Sequence, residues 1–250
     1  MKRTFNYIVV ALLSSIFLSG CFLPDEQRLE NQITYPDQLQ AVQSAIEQFQ
    51  IDTGVLPIYT FDEHTSLYNR YIVDFNQLVP QYLQQPPGTA FENGGVFRYA
   101  LVNVEDEPEV KVIDLRPQST IQQYHRRVND YIRKHTYVPI KEIVDNGLFM
   151  LDFEELGFSE EPLVKSPYTD QFLPLLFTND HEVVIDYRLD LYQMLTEHEH
   201  DFEEGEDIRP ILVEHSHFVP ARSVPYVIDE HGEPVYEMSL RNKNHKKIGL

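Results

Sequence analysis

One cysteine in 250 residues leaves no partner for an internal disulfide, so the fold must be held by its core and its hydrogen bonds. Positive charge is also scarce. Twenty Lys and Arg stand against forty Asp and Glu, a net charge of −20 at pH 7. Nucleic-acid binders neutralise phosphates with clusters of Lys and Arg, so this balance excludes nucleic acid as a partner. The usual catalytic signatures are missing as well: there is no Gly-x-Ser-x-Gly elbow, no Ser-x-x-Lys, no P-loop and no Gly-x-Gly-x-x-Gly. His181-Glu182 opens like a zinc-protease helix, but Ile185 stands where a second histidine would have to share the metal. With no nucleophile and base in a checkable context, the expectation is a protein that is not an enzyme and needs no cofactor. After the first twenty residues no apolar run approaches the ~20 residues that a membrane-spanning helix requires.

What is present begins with residues 7–18 (YIVVALLSSIFL), an apolar run behind Lys2 and Arg3. Its length falls inside the ~7–15 residues of an export-signal core and short of a bilayer span. It closes on Leu18-Ser19-Gly20-Cys21, which resembles a bacterial lipobox. The resemblance implies that signal peptidase recognises Leu18, Ser19 and Gly20 and cuts before Cys21, whose sulfur carries diacylglycerol. Palmitate-type acyl chains would then hold the mature chain on the extracytoplasmic side of the cell membrane, as in Gram-positive envelopes. Two chains anchor stably where one binds only marginally. The acidic excess reads first as solubility at a crowded surface, and second as attraction for cations or a basic partner.

Self-similarity organises the rest. Residues 36–52 place Leu39, Val42, Ile46 and Phe49 on one helical stripe, and residues 119–135 place Ile121, Tyr124, Val128 and Tyr131 at the same spacings. Pro57-Ile58 corresponds to Pro139-Ile140, and Asp74-Phe75-x-x-Leu78 to Asp152-Phe153-x-x-Leu156. Pro87 corresponds to Pro167, and Val112-Ile113-Asp114-x-Arg116 to Val184-Ile185-Asp186-x-Arg188. Each unit reads as helix, Pro-containing connector, short apolar segment, Pro turn and hairpin. The hairpins are residues 95–104 with 109–115, and residues 172–178 with 182–187. The expected fold class is α+β: two related helix-plus-antiparallel-sheet units followed by a C-terminal β segment. By residue number this gives a signal peptide 1–20, a lipidated tether 21–35, units 36–117 and 118–196, and an acidic linker 197–207. A β segment 208–240 and a basic tail 241–250 follow. Within the β segment, residues 208–219 and 226–238 are expected as strands, with His231-Gly232 as a turn.

Residues 39–57 (LQAVQSAIEQFQIDTGVLP) look like the point in type II secretion pseudopilin head domains where the helix ends in Thr-Gly-x-x-Pro and the chain enters a small antiparallel sheet. The second unit has His135-Thr136-Tyr137-Val138-Pro139 there, without the glycine, so its helix must stop differently. Across its length the chain is similar to the uncharacterised YphF-type lipoproteins of bacilli. The lipobox, Tyr71-Ile72-Val73-Asp74-Phe75, Leu78-Val79-Pro80 and Val112-Ile113-Asp114-Leu115-Arg116 carry that similarity. It implies a location and no activity.

The histidines are the remaining chemical signal. In a strand, His215 and His217 would point to the same side, and His198 and His200 lie among the acids of Glu197-His198-Glu199-His200-Asp201. Zinc takes such donors, which leaves a divalent-cation-binding ectodomain as the alternative to an interaction scaffold that contacts another envelope protein. An unrecognised envelope hydrolase is a further alternative. Asp114 with Arg116, and Asp186 with Arg188, are expected to pair with each other or cap a turn rather than bind ligand. Replacing Cys21 with alanine is expected to abolish fatty-acid incorporation and leave an uncleaved precursor. Metabolic labelling with a radioactive fatty acid checks this, and undiminished label would rule out the lipid attachment.

Overall fold

A computed structural model describes residues 35–61 and 65–243; Leu18, Ser19, Gly20 and Cys21 lie outside the described residues. Helix α1 (Tyr35–Thr53) buries the expected stripe of Leu39, Val42, Ile46 and Phe49, with Ala45 beside them. Asp37 occupies its first turn, where the helix dipole favours an acid. Gly54, at φ +76°, ends the helix by donating its N–H to Gln50 O at 2.8 Å. Strands β1 (Ile58–Thr60), β2 (Tyr71–Val73), β3 (Phe97–Val102) and β4 (Glu109–Asp114) follow, forming an antiparallel sheet in that order. The short helix α2 (Phe75–Leu78) after β2 is capped by the Asp74 carboxylate, which accepts from Asn76 N. Gln43 ties α1 to the sheet, accepting from Val110 N at 2.8 Å and donating to Pro108 O at 2.9 Å.

The second unit repeats this plan. Helix α3 (Gln118–His135) buries Ile121, Tyr124, Val128 and Tyr131. Strands β5 (Ile140–Asp145), β6 (Leu148–Leu151), β7 (Leu163–Lys165), β8 (Phe172–Thr178) and β9 (Val183–Ile185) then build the second sheet. β5 pairs with β6, β6 with β8 and β8 with β9, all antiparallel, which reproduces the order of the first sheet. β7 is an extra partner of β8. One hydrogen bond recurs at the same place in both units: Asp74 N donates to Pro57 O, and Asp152 N to Pro139 O, each at 2.8 Å. Where the second unit lacks the glycine, Thr136 itself adopts φ +67° and donates to Ile132 O at 2.8 Å, so the same left-handed stop is made without glycine.

After β9 come α4 (Arg188–Glu197), α5 (Pro210–Glu214), β10 (Tyr226–Ile228), β11 (Pro234–Tyr236) and α6 (Met238–Lys243). β10 and β11 form the C-terminal hairpin, turning at His231-Gly232, where Asp229 Oδ1 accepts from His231 N and Glu233 N at 2.8 Å. The expected strand over residues 208–219 is corrected: its first half is α5. Pro210 has no N–H for a sheet ladder but suits the first helical turn, and Ile211, Leu212 and Val213 are all buried instead of alternating. Ser216 ends the helix, its hydroxyl donating to Leu212 O at 2.7 Å and accepting from Phe218 N at 3.0 Å.

This segment is where the two units meet. Ile208, Ile211 and Leu212 join the core built from α3, the second sheet and α4. Val213 and Val219 instead cover Ile72, Ala100 and Ile113 on the face of the first sheet. The chain then lies along β4, with Val112 N donating to His217 O at 2.9 Å and Val219 N to Val112 O at 3.1 Å. Lys111, 3% exposed, reaches the same segment through its Nζ, 3.0 Å from Ser216 O. The described residues from Pro36 onward thereby form one compact body. Among the described residues, no helix is long and apolar enough to cross a membrane.

Truncation should report these burials. Phe49→Ala is expected to cost about 3–5 kcal/mol and Leu212→Ala about 2–5 kcal/mol. Tyr131→Ala should cost at least as much as Phe49→Ala, because it also removes the part-buried hydroxyl's bonds to Tyr137 and Glu155. Urea unfolding of the three variants checks the order, and a Leu212→Ala loss below about 1 kcal/mol would contradict the joining role of α5.

Candidate functional site

The residues flagged as Asp-x-Arg pairs build one local device, and it occurs a third time. Arg116 N and Nε donate to Asp114 Oδ1, both at 2.9 Å, while Nη2 donates to Oδ2 at 2.7 Å. Arg188 makes the same bonds to Asp186 at 3.1, 3.2 and 2.8 Å. Arg209 repeats them with Asp207 at 3.2, 3.0 and 2.5 Å. Each fork precedes or opens a helix, and each guanidinium lies over an aromatic ring: Arg116 over Phe97, Arg188 over Tyr236 and Arg209 over Tyr68. Asp207-Ile208-Arg209 carries the pattern already visible at Asp114 and Asp186, so this third pair was legible in the sequence and was missed.

The forks differ in setting. Arg116 and Arg188 are half exposed, whereas the Arg209 side chain is 5% exposed and also donates to Ser223 Oγ at 2.9 Å. Asp186 is shared further, accepting from Tyr236 Oη at 2.8 Å. Burial also isolates Asp190 on α4, which is fully buried and accepts from Ser166 Oγ at 2.9 Å and Thr169 Oγ1 at 2.6 Å. Desolvation raises its carboxyl above the ordinary value, and the bonds from Thr169 and Ser166 partly offset the rise.

Where the first sheet, the start of α3, the second sheet and residues 219–222 meet, they leave a cleft of about 480 Å³. Small-molecule pockets commonly measure ~300–1,000 Å³. Arg98, Arg116, Lys165 and Arg222 line this cleft, and Asp114 is the one acid among its lining residues. Stacking orients two of these cations, Arg98 over Phe91 at 5.7 Å and Arg116 over Phe97 at 5.6 Å. Gly95 allows the close approach of two backbones at the rim: a Cβ there would stand 2.1 Å from Thr89 C and O. Sequence reasoning did not find this site. Its cations come from four separated segments, and only folding brings them together.

The histidines are placed otherwise than a strand would place them. His215 caps the end of α5 and His217 lies beyond the Ser216 turn, so they do not share one side of a strand. His198 and His215 stack instead, with centroids 3.6 Å apart and planes 7° from parallel. Lone pairs of stacked imidazoles lie in parallel planes and do not converge on one point. His200 stacks on Phe202. Among the described residues, no group of three or more His, Cys, Asp or Glu stands where it could hold a metal ion.

Residues 35–114 match the family model described as the YphF family N-terminal domain. The matched span opens with α1 and ends at the last residue of β4. No curated protein and no solved structure matches the chain.

The forks make two predictions. Arg209→Ala, which leaves a carboxylate without its partner in a largely buried place, is expected to cost about 3–5 kcal/mol. Arg116→Ala removes a half-exposed guanidinium but leaves the Asp114 carboxylate, itself only 7% exposed, with a backbone partner alone, and should cost less, about 1–3 kcal/mol. Urea unfolding distinguishes them, and equal losses would contradict the difference in setting. Asp190 has its folded-state value raised, so its protonated form favours the fold. Its contribution is full below 3.8 and is lost as pH rises through the raised value. Stability measured across that interval should therefore fall with pH more in the wild type than in Asp190→Asn; identical slopes would refute this.

Proposed function

We propose that the protein is a membrane-anchored extracytoplasmic lipoprotein that acts as a non-catalytic interaction scaffold. Diacylglycerol on Cys21 holds it at the membrane, and the folded body contacts another envelope protein. The observation that supports this most is the division of α5 between the two cores, with Leu212 in one and Val213 in the other. A segment packed in both places fixes the outer surfaces of the two units relative to each other, and a scaffold requires such fixed spacing. A tether in the same membrane adds effective concentration, so the partner contact need not be strong by itself. The acidic exterior favours a basic face on that partner.

Each unit also presents an exposed apolar side chain, Ile51 on α1 at 77% and Ile143 on β5 at 68%. β5 is moreover the outer strand of its sheet, and such an edge leaves backbone groups open to pairing. Deleting residues 208–240 would be a poor test, because Ile208, Ile211, Leu212 and Tyr226 are core residues. A photoreactive amino acid at Ile51 or Ile143 of the full lipoprotein leaves the core intact. Irradiation in intact cells is expected to give a discrete protein adduct from at least one position, and that adduct should weaken when residues 1–21 are replaced by an export signal that is cleaved without lipidation, so that the body is released from the membrane. No adduct from either position, or stoichiometric zinc in the purified protein, would overturn the reading.

A further inference from the structure

We propose that the cleft between the two units binds a small organic anion carrying an apolar body, such as an arylalkyl or alkyl carboxylate. The proposal goes beyond the scaffold reading and needs neither the lipid nor a protein partner. It starts from a contrast in charge. The chain carries −20 overall, yet the lining of this cleft holds Arg98, Arg116, Lys165 and Arg222 against one acid, Asp114. That acid is already engaged by Arg116 through three side-chain bonds and a backbone bond.

Among the described residues, no carboxylate forms an ion pair with Arg98 or Arg222, and Lys165 has only a 3.7 Å approach to the fully exposed Asp170. An acidic protein offers many carboxylates, so cations left to line a concave site create a local field that attracts anions. Arg98 and Arg116 are oriented by rings and not by the solvent alone, which lowers the ordering cost of binding. At Arg222 the backbone is fixed in the left-handed region, φ +58°, and its carbonyl accepts from Ile185 N at 2.9 Å, anchoring that rim to β9.

The rest of the lining determines the remainder of the ligand. Val96, Leu115, Pro167 and Ala221, each partly exposed, contribute apolar surface to the wall beside the buried Ile121, Leu173, Ile185 and Val219. Inorganic phosphate or sulfate would leave this surface unused. A ligand with a hydrocarbon or aromatic body covers it while its charged head stays with the arginines, the division of labour usual in small-molecule sites.

Calorimetric titration of the full-length lipoprotein in a non-ionic detergent tests the assignment, with 4-phenylbutyrate as the probe and 4-phenylbutanamide as its neutral counterpart. The expected result is saturable one-to-one binding of the carboxylate, weakened about tenfold or more in the Arg98→Gln/Arg222→Gln double variant. The amide should bind about tenfold more weakly to the unaltered protein. Any partition into the micelle is common to both proteins and cancels in their comparison. Neither arginine is in the core, and a thermal melt confirms that the double variant is folded. The amide arm requires no variant at all. Absence of saturable binding, equal binding of acid and amide, or binding unaffected by loss of the two arginines would overturn the proposal.

Discussion

Everything in the described body depends on how one apolar segment is divided. The first sheet has apolar side chains on both faces: α1 covers one, and the other, with Ile72, Ala100 and Ile113, would face water if the unit stood alone. The second unit has the opposite need, because its core between α3, the sheet and α4 requires Ile208, Ile211 and Leu212 to complete it. A five-residue helix satisfies both, sending adjacent side chains to different cores. With no disulfide available, burial at this seam is the means by which the repeat becomes one body.

Forks of aspartate and arginine set the chain direction at the entrances to α3, α4 and α5. The arginine two residues on donates from its backbone and its guanidinium to one carboxylate, so the turn is fixed before the helix begins. Stacking on Phe97, Tyr236 or Tyr68 then fastens each turn to a different neighbour. The same short pattern thus serves as a surface corner at Arg116 and as an internal bond at Arg209. The difference lies wholly in what packs over it.

Much of the fold was legible because it is local. The stripes at Leu39, Val42, Ile46 and Phe49, and at Ile121, Tyr124, Val128 and Tyr131, lie on single helices and read directly as buried faces. The hairpins β3–β4 and β8–β9 follow from apolar runs flanking a turn, and the repeat shows itself in landmarks kept in one order. Residues 208–219 failed for a specific reason. Three consecutive buried residues have neither period two nor a full helical period, and the partner that buries Val213 lies about a hundred residues earlier in the chain.

The sequence by itself determined the α+β class, the two repeated units, their helices and hairpins, and the acidic surface. These follow from side-chain periodicity, turn residues and charge, all properties of neighbouring positions. Only the tertiary structure decided that His198 and His215 stack, that Asp190 is enclosed with Ser166 and Thr169, and that four cations from distant segments surround one cleft. Those arrangements come from contacts between residues far apart in the chain, which no local pattern encodes. The packing of α5 into both cores is what brings the distant segments together.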